Sequence, residues 1–315
     1  IAGRQCSHTP CVVRLLVQAR CRRCGAVRYP ARIAGGWRTR PRGKATGKAG
    51  IAMNCIICCA KTAFFLSKHF HEFDLGRVDY SRCSDCGFVL SDTHAQMSER
   101  RWEGLNRDFH ESYQGSDDNP VDPRWLPRLR AQAQALQAAN DAGLLPAGRR
   151  LDYACGDGKL SEMLAESSDI SLECYDRYMH APHYLQDGVM QPGSFDFVIS
   201  TSVFEHLRSR ESLESIRSLL APRGVMGMHT LVCETVPESA DWFYYLAVHC
   251  AFYSNRSMEL LLQQWGYRSS LYHLPSRLWF FFEEDFETIE AQFKSLNARM
   301  PGEWFGQSGF VDYWK

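Results

Sequence analysis

The chain has 315 residues, 45% of them apolar, enough for one full-sized catalytic domain and a small accessory module. Its net charge of zero hides an asymmetry. Residues 1–52 carry twelve Lys and Arg and no Asp or Glu, which leaves 24 basic against 36 acidic residues in the remainder. An acidic body argues against a nucleic-acid substrate, whose phosphates it would repel. The longest apolar runs, 242–253 and 278–282, are interrupted or too short to span a bilayer, and 12–17 is too short for a secretory core. No membrane partner is therefore expected. Thirteen cysteines fall in close pairs or lie alone in apolar segments, a pattern suited to a reducing cytoplasm with a metal site rather than to a disulfide framework.

Residues 1–52 form a basic leader rich in Arg, Gly and Ala. It reads either as an arm that touches RNA or membrane or as a stretch ahead of a true start at Met53, and the second reading is favoured. Residues 53–95 are expected to be a zinc ribbon. Cys55-x-x-Cys58 and Cys83-x-x-Cys86-Gly87 are two knuckles with 24 residues between them. Two such knuckles can close a tetrahedral site of four thiolates, which leaves no open position and implies a structural Zn2+. Iron is the competing ion, Cys59 is a spare neighbour, and four unligated thiols are the bland alternative.

Residues 96–147 read as a helical linker or cap. Trp102, Leu105, Phe109 and Tyr113 recur at helical steps, and Gly115 to Pro120 breaks the pattern. A second helix is expected from about 124 to 142, ended by Gly143 and Pro146. From 148 to 315 strands and helices alternate. Strands are expected at 151–154, 171–175, 195–200, 224–232, 268–273 and 278–282, and helices at 160–165, 210–220 and 257–265. Such alternation implies an α/β fold, a mostly parallel sheet with helices on both faces.

The sharpest motif is Asp152-x-Ala154-x-Gly156-x-Gly158, an acidic strand residue followed by a glycine turn that opens a helix. Glycines there let a ligand approach the backbone. A dinucleotide fingerprint fits poorly, because Ser161 stands where the third glycine would be and Asp157 would face the pyrophosphate. The motif resembles that of class I, Rossmann-like methyltransferases that use S-adenosylmethionine (SAM). The resemblance implies that Asp152, Ala154, Gly156 and Gly158 hold the methionine part of SAM. Asp176, 24 residues on and preferred to Glu173, would accept the ribose hydroxyls. The stretch from Gly193 to Leu207 looks like the family's fourth strand, with Ser200 among the cofactor contacts. Between Asp176 and Gly193 the third strand of the pattern is short or absent, and Asp187 is the weak candidate for adenine.

Glu205 and His206 follow that fourth strand, at the sheet edge where such folds bind ligands. With His249 they are the candidate catalytic residues. His206 is read as a general base or an orienter of the acceptor, with a loop-fixing role as the alternative. The aromatics around His249 and Tyr253 suit a lid over a ring-shaped acceptor or a buried core equally well, and Tyr113 is a candidate cap on the SAM pocket. The two-knuckle module resembles that of sugar C-methyltransferases, which hints at a sugar or related small molecule as acceptor. Competing readings are an RNA or protein methyltransferase whose ribbon grips a polymer, and a SAM-binding protein without turnover.

Overall fold

A computed structural model describes residues 54–111 and 125–312, all within one compact unit, Ala49–Lys315. The basic leader and Tyr113 lie outside the described residues. In chain order, a hairpin of β1 (Thr62–Phe70) and β2 (Gly76–Cys83) leads to β3 (Val89–Ser91) and helices α1 (Asp92–Ala95), α2 (Glu99–Glu111) and α3 (Trp125–Asp141). Then come β4 (Arg150–Tyr153), α4 (Lys159–Ser167), β5 (Glu173–Tyr175), β6 (Phe195–Thr201), α5 (Arg210–Ser218) and β7 (Leu220–His229). The described chain continues through β8 (Val232–Cys233), β9 (Ala251–Ser254), α6 (Asn255–Gln264), β10 (Ser269–His273) and β11 (Leu278–Phe282) to α7 (Phe286–Arg299) and β12 (Trp304–Ser308).

The main sheet has seven strands in the order β12-β10-β11-β7-β6-β4-β5. Strands β5, β4, β6 and β7 run parallel, and β11, β10 and β12 add to them antiparallel. The middle stretches of β6 (Phe197–Ile199) and β7 (Val225–Met228) are apolar and buried because both faces are covered. Side chains alternate between two cores with the strand period of two. On β6, Val198 joins one core while Phe197 and Ile199 join the other. Residues of α2, α5 and α6 pack into the first core, and residues of α3, α4 and α7 into the second. This is the expected α/β architecture with helices on both faces.

Between Tyr175 and Phe195 there is no strand among the described residues, so β5 is the sheet edge. The N-terminal hairpin belongs to a second sheet, β1-β2-β3-β9-β8. Its strand β9 comes from residues far along the chain, with Val89 opposite Phe252 and Leu90 opposite Ala251. The four-cysteine module and the segment after β8 are thus parts of one sheet. Strands β1, β2 and β12 and helix α7 escaped the sequence reading. In β1 (TAFFLSKHF) polar and apolar residues do not alternate cleanly, because a bulge between Phe64 and Leu66 shifts the register.

Candidate functional site

The C-terminal ends of β4, β5, β6 and β7 open into a cavity of about 1700 Å³. This is the position where open α/β sheets take ligands. Three non-glycine residues that line it have left-handed backbones, Ala154 (φ 60°) after β4, Ser202 (φ 57°) after β6 and Arg277 (φ 54°) just before β11. Strained residues of this kind concentrate at ligand sites.

The β4 turn is held together by Asp176. Its Oδ2 accepts from Gly156 N–H at 2.9 Å, and its Oδ1 accepts from Tyr178 and Met179 N–H at 2.8 and 2.9 Å. The carboxylate therefore fastens the β4 loop to the β5 loop and keeps a lone pair of Oδ2 for a ligand. Glu173, the lesser candidate, instead pairs with Arg149 through two N–H···O contacts of 2.8 and 2.7 Å. Asp152 is 1% exposed and lines the cavity, yet its Oδ1 has no hydrogen-bond partner. Burial, then Cys174 and the carboxylates of Asp176 and Asp157, push its carboxyl well above the usual range.

Gly156 (φ 60°) lines the cavity, whereas Gly158 (φ 77°) sits buried behind the turn as the N-cap of α4. A Cβ on Gly158 would come within 2.8 Å of the Tyr184 hydroxyl, which donates to the Gly156 carbonyl at 3.0 Å. Ser200 is buried beneath the floor with an unpartnered hydroxyl, and its neighbours Thr201 and Ser202 face the cavity instead. Asp187 accepts from the Tyr175 hydroxyl at 2.6 Å and is not among the cavity-lining residues.

Glu205, His206 and His249 come together on the opposite wall, one ligand-capable atom of each within 4.8 Å of the others. Glu205 is buried. Its carboxylate accepts from Tyr244 OH at 2.7 Å and from Thr230 Oγ1 at 2.9 Å, and burial raises its pKa. His249 Nδ1 meets the Tyr244 carbonyl at 2.9 Å. Burial first, then the neighbouring imidazoles of His249, His110 and His94, push His206 well below the usual range. Burial brings His249 down to about 4. Both shifts favour the neutral ring.

Sequence reasoning missed Tyr244, Thr230, His110 and His229. His110 lies 5.4 Å ring to ring from His206, and His229 Nδ1 lies 3.2 Å from Ser202 Oγ. Only the aromatic density of 242–253 hinted at Tyr244; the others carry no local signal.

The four cysteines also converge. Sγ of Cys55 lies 3.6 Å from that of Cys86, and Sγ of Cys58 lies 3.4 Å from that of Cys83. Tetrahedral bonds of about 2.3 Å imply sulfur pairs roughly 3.8 Å apart, so small side-chain shifts fit the set to one ion. Backbone N–H groups of Ile57, Asp85 and Cys86 point at sulfur from 3.4 to 3.5 Å, favouring thiolates. The Cys86 contact brings the Cys55 thiol down to about 6, while the same contact pushes the Cys86 thiol up and burial pushes the Cys58 thiol up to about 12. The Ser254 hydroxyl donates to the Cys86 carbonyl, and Gln264 Nε2 donates to the Ile57 carbonyl at 2.9 Å.

Residues 124–270 match the family model of a methyltransferase domain. No curated protein matches the chain. Among solved structures, the chain is similar to magnesium protoporphyrin IX methyltransferase from Synechocystis PCC 6803 with bound SAH. The identity is 18%, over 57% of this chain and 94% of that one, with a TM-score of 0.40. It is similar also to a SAM-dependent methyltransferase from Archaeoglobus fulgidus (17% identity, 54% and 77% covered, TM-score 0.36). A SAM-dependent methyltransferase from Aquifex aeolicus gives 13% identity, 56% and 96% covered, and a TM-score of 0.32. The family match gives the chain a methyltransferase domain and makes it an enzyme of that kind.

Proposed function

We propose that the chain transfers the methyl group of SAM to a small-molecule acceptor bound in the cavity. The carrying observation is Asp152, a buried carboxylate with an unpartnered oxygen beside the glycine turn. Three carboxylates, Asp152, Asp157 and Asp176, surround that turn and would oppose a pyrophosphate. A ligand with an ammonium and a sulfonium supplies the positive charge they lack. Ala154, Gly156 and the turn held by Gly158 leave room for the methionine part. The free lone pair of Asp176 receives a ribose hydroxyl, and the Ser200 strand end forms the floor.

A cavity of about 1700 Å³ exceeds the roughly 300–1,000 Å³ of ordinary small-ligand sites, so cofactor and acceptor fit together. Trp242 and Tyr244 line the wall beside His206 and His249, a surface suited to a ring such as a sugar. Glu205, His206 and His249 form the acceptor side, and the bare Nδ1 of His206 orients the acceptor or takes its proton. The four thiols hold one structural Zn2+, and their need to stay reduced fits a cytoplasmic protein.

Incubating the enzyme with methyl-labelled SAM and a metabolite extract tests this reading. Label appearing in one small metabolite supports it, and label confined to RNA or protein refutes the acceptor class. Metal analysis tests the thiol site, where zinc should be lost in Cys86→Ser. Retention of zinc at wild-type content and stability would refute the ligand set.

A further inference from the structure

The acceptor wall carries a second group of metal-ligating side chains, remote in sequence from the thiols. One ligand atom of each of Glu205, His206 and His249 lies within 4.8 Å of the other two, and all three side chains line the cavity. Their hydrogen bonds fix which atoms are free. The Tyr244 carbonyl can only accept, so His249 Nδ1 carries the proton and its Nε2 keeps a lone pair. His206 has a buried Nδ1 without a partner, and the Val248 backbone lies near its ring. His249 thus spends one N–H on backbone, and each imidazole leaves a nitrogen bare.

That arrangement is the outer support a ligating histidine needs, since the bound N–H fixes tautomer and ring direction. Glu205 is supported in the same way, each oxygen taking one hydroxyl and keeping a lone pair.

We propose that Glu205, His206 and His249 bind a divalent transition-metal ion whose remaining coordination positions open into the cavity. Two imidazoles and one carboxylate suit Zn2+, Fe2+, Mn2+ or Co2+, and three protein ligands leave positions for an acceptor oxygen. The ion would give the buried Glu205 carboxylate its counter-charge. The proposal rests on reading this cavity as the methyl-transfer site. There the ion lowers the pKa of a coordinated acceptor hydroxyl, whose proton passes to solvent. The oxygen then bonds to the methyl carbon as the carbon–sulfur bond breaks and its electron pair stays on sulfur. His206 acts with its two neighbours in this scheme rather than as a lone base.

The test is cobalt titration of the full-length chain after removal of resident metal by a chelator. The proposal expects two Co2+ per chain: one with intense near-ultraviolet thiolate charge-transfer bands, and one without them that shifts histidine resonances in a 15N-histidine spectrum. His249→Ala should lose the second ion, weakening it by at least ~100-fold, and Tyr244→Phe, which removes only outer support, should weaken it by about 10–100-fold. Glu205→Gln serves as a second ligand variant if His249→Ala fails to fold. Saturation at one Co2+ with no histidine shift in the wild type would overturn the proposal. So would two ions retained at wild-type affinity in a folded ligand variant. SAM binding is measured on the same samples. Normal SAM binding with no second ion defeats the metal site alone, whereas absent SAM binding defeats the methyl-transfer reading.

Discussion

The two walls of the cavity are built by different means. The β4–β5 wall is made within residues 152–179, mostly from backbone: a left-handed turn, a helix start, and one carboxylate that ties three N–H groups. The β6–β7 wall is made from side chains brought together from α2, the loop after β6, the end of β7 and the segment before β9. The first kind of wall leaves a local trace in sequence because glycine and spacing are its means. The second kind leaves almost none, because its members meet only once the sheets have formed.

The largest expected effect falls on the side-chain wall. His206→Ala should cut turnover by about 10²–10⁴-fold, the scale of lost proton-transfer assistance to the acceptor, whether His206 takes the proton itself or helps to hold the group that activates the acceptor, while SAM affinity stays within experimental error. Loss of SAM affinity in that variant, measured by calorimetry, would show that the two walls do not divide the work. Asp176→Ala tests the backbone wall. It should weaken SAM binding by roughly 1.5–3 kcal/mol through the lost charged hydrogen bond, and it also frees three backbone donors, so the melting temperature should drop. Unchanged affinity would remove Asp176 from the cofactor site.

Gly158→Ala probes the turn alone. A side chain at φ 77° costs about 1–2 kcal/mol, and the Tyr184 hydroxyl at 2.8 Å from the new Cβ adds to it. Denaturant melts should show that loss, and an unaffected midpoint would mean the turn relaxes freely.

An effect that appears only on acidification tests how the second sheet supports the acceptor wall. His94 is fully buried, with Nδ1 2.7 Å from Ser91 Oγ and Nε2 2.9 Å from the Ala247 carbonyl, two residues before His249. Burial first, then Arg208 and His249, bring it down to about 4. Its folded pKa lies below the unfolded value, so the unfolded chain binds the proton first as pH falls. The stability from a neutral His94 is complete above about pH 6.5 and declines toward pH 4 by about 1.4 kcal/mol per pH unit. Stability measured across that window should fall less steeply in His94→Gln. An equal slope would assign the pH dependence to other groups.

The central strands were legible because they are short apolar runs punctuated by helix patterns, as at 195–200 within parallel β6 and at 278–282, which coincides with antiparallel β11. The Asp152 turn and the two knuckles were legible because their spacing is their chemistry. The second sheet was not, since β3 and β9 are each too short to declare themselves and pair across 159 intervening residues of chain between Ser91 and Ala251. The Glu205–Tyr244–Thr230 contacts were hidden for the same reason. Asp176 was picked out as a ribose acceptor, but its three backbone partners required the loops after β4 and β5 to be seen side by side.

The most direct measurement is a calorimetric titration of the full-length protein with SAM and, separately, with NAD, followed by SAM titration of Asp152→Asn. One SAM should bind per chain and NAD should not bind. Asp152→Asn should weaken SAM by roughly 1.5–3 kcal/mol, as expected for a charged hydrogen bond lost to a cationic ligand. Binding of NAD, or of SAM with equal affinity in Asp152→Asn, would contradict a SAM site built around this buried carboxylate.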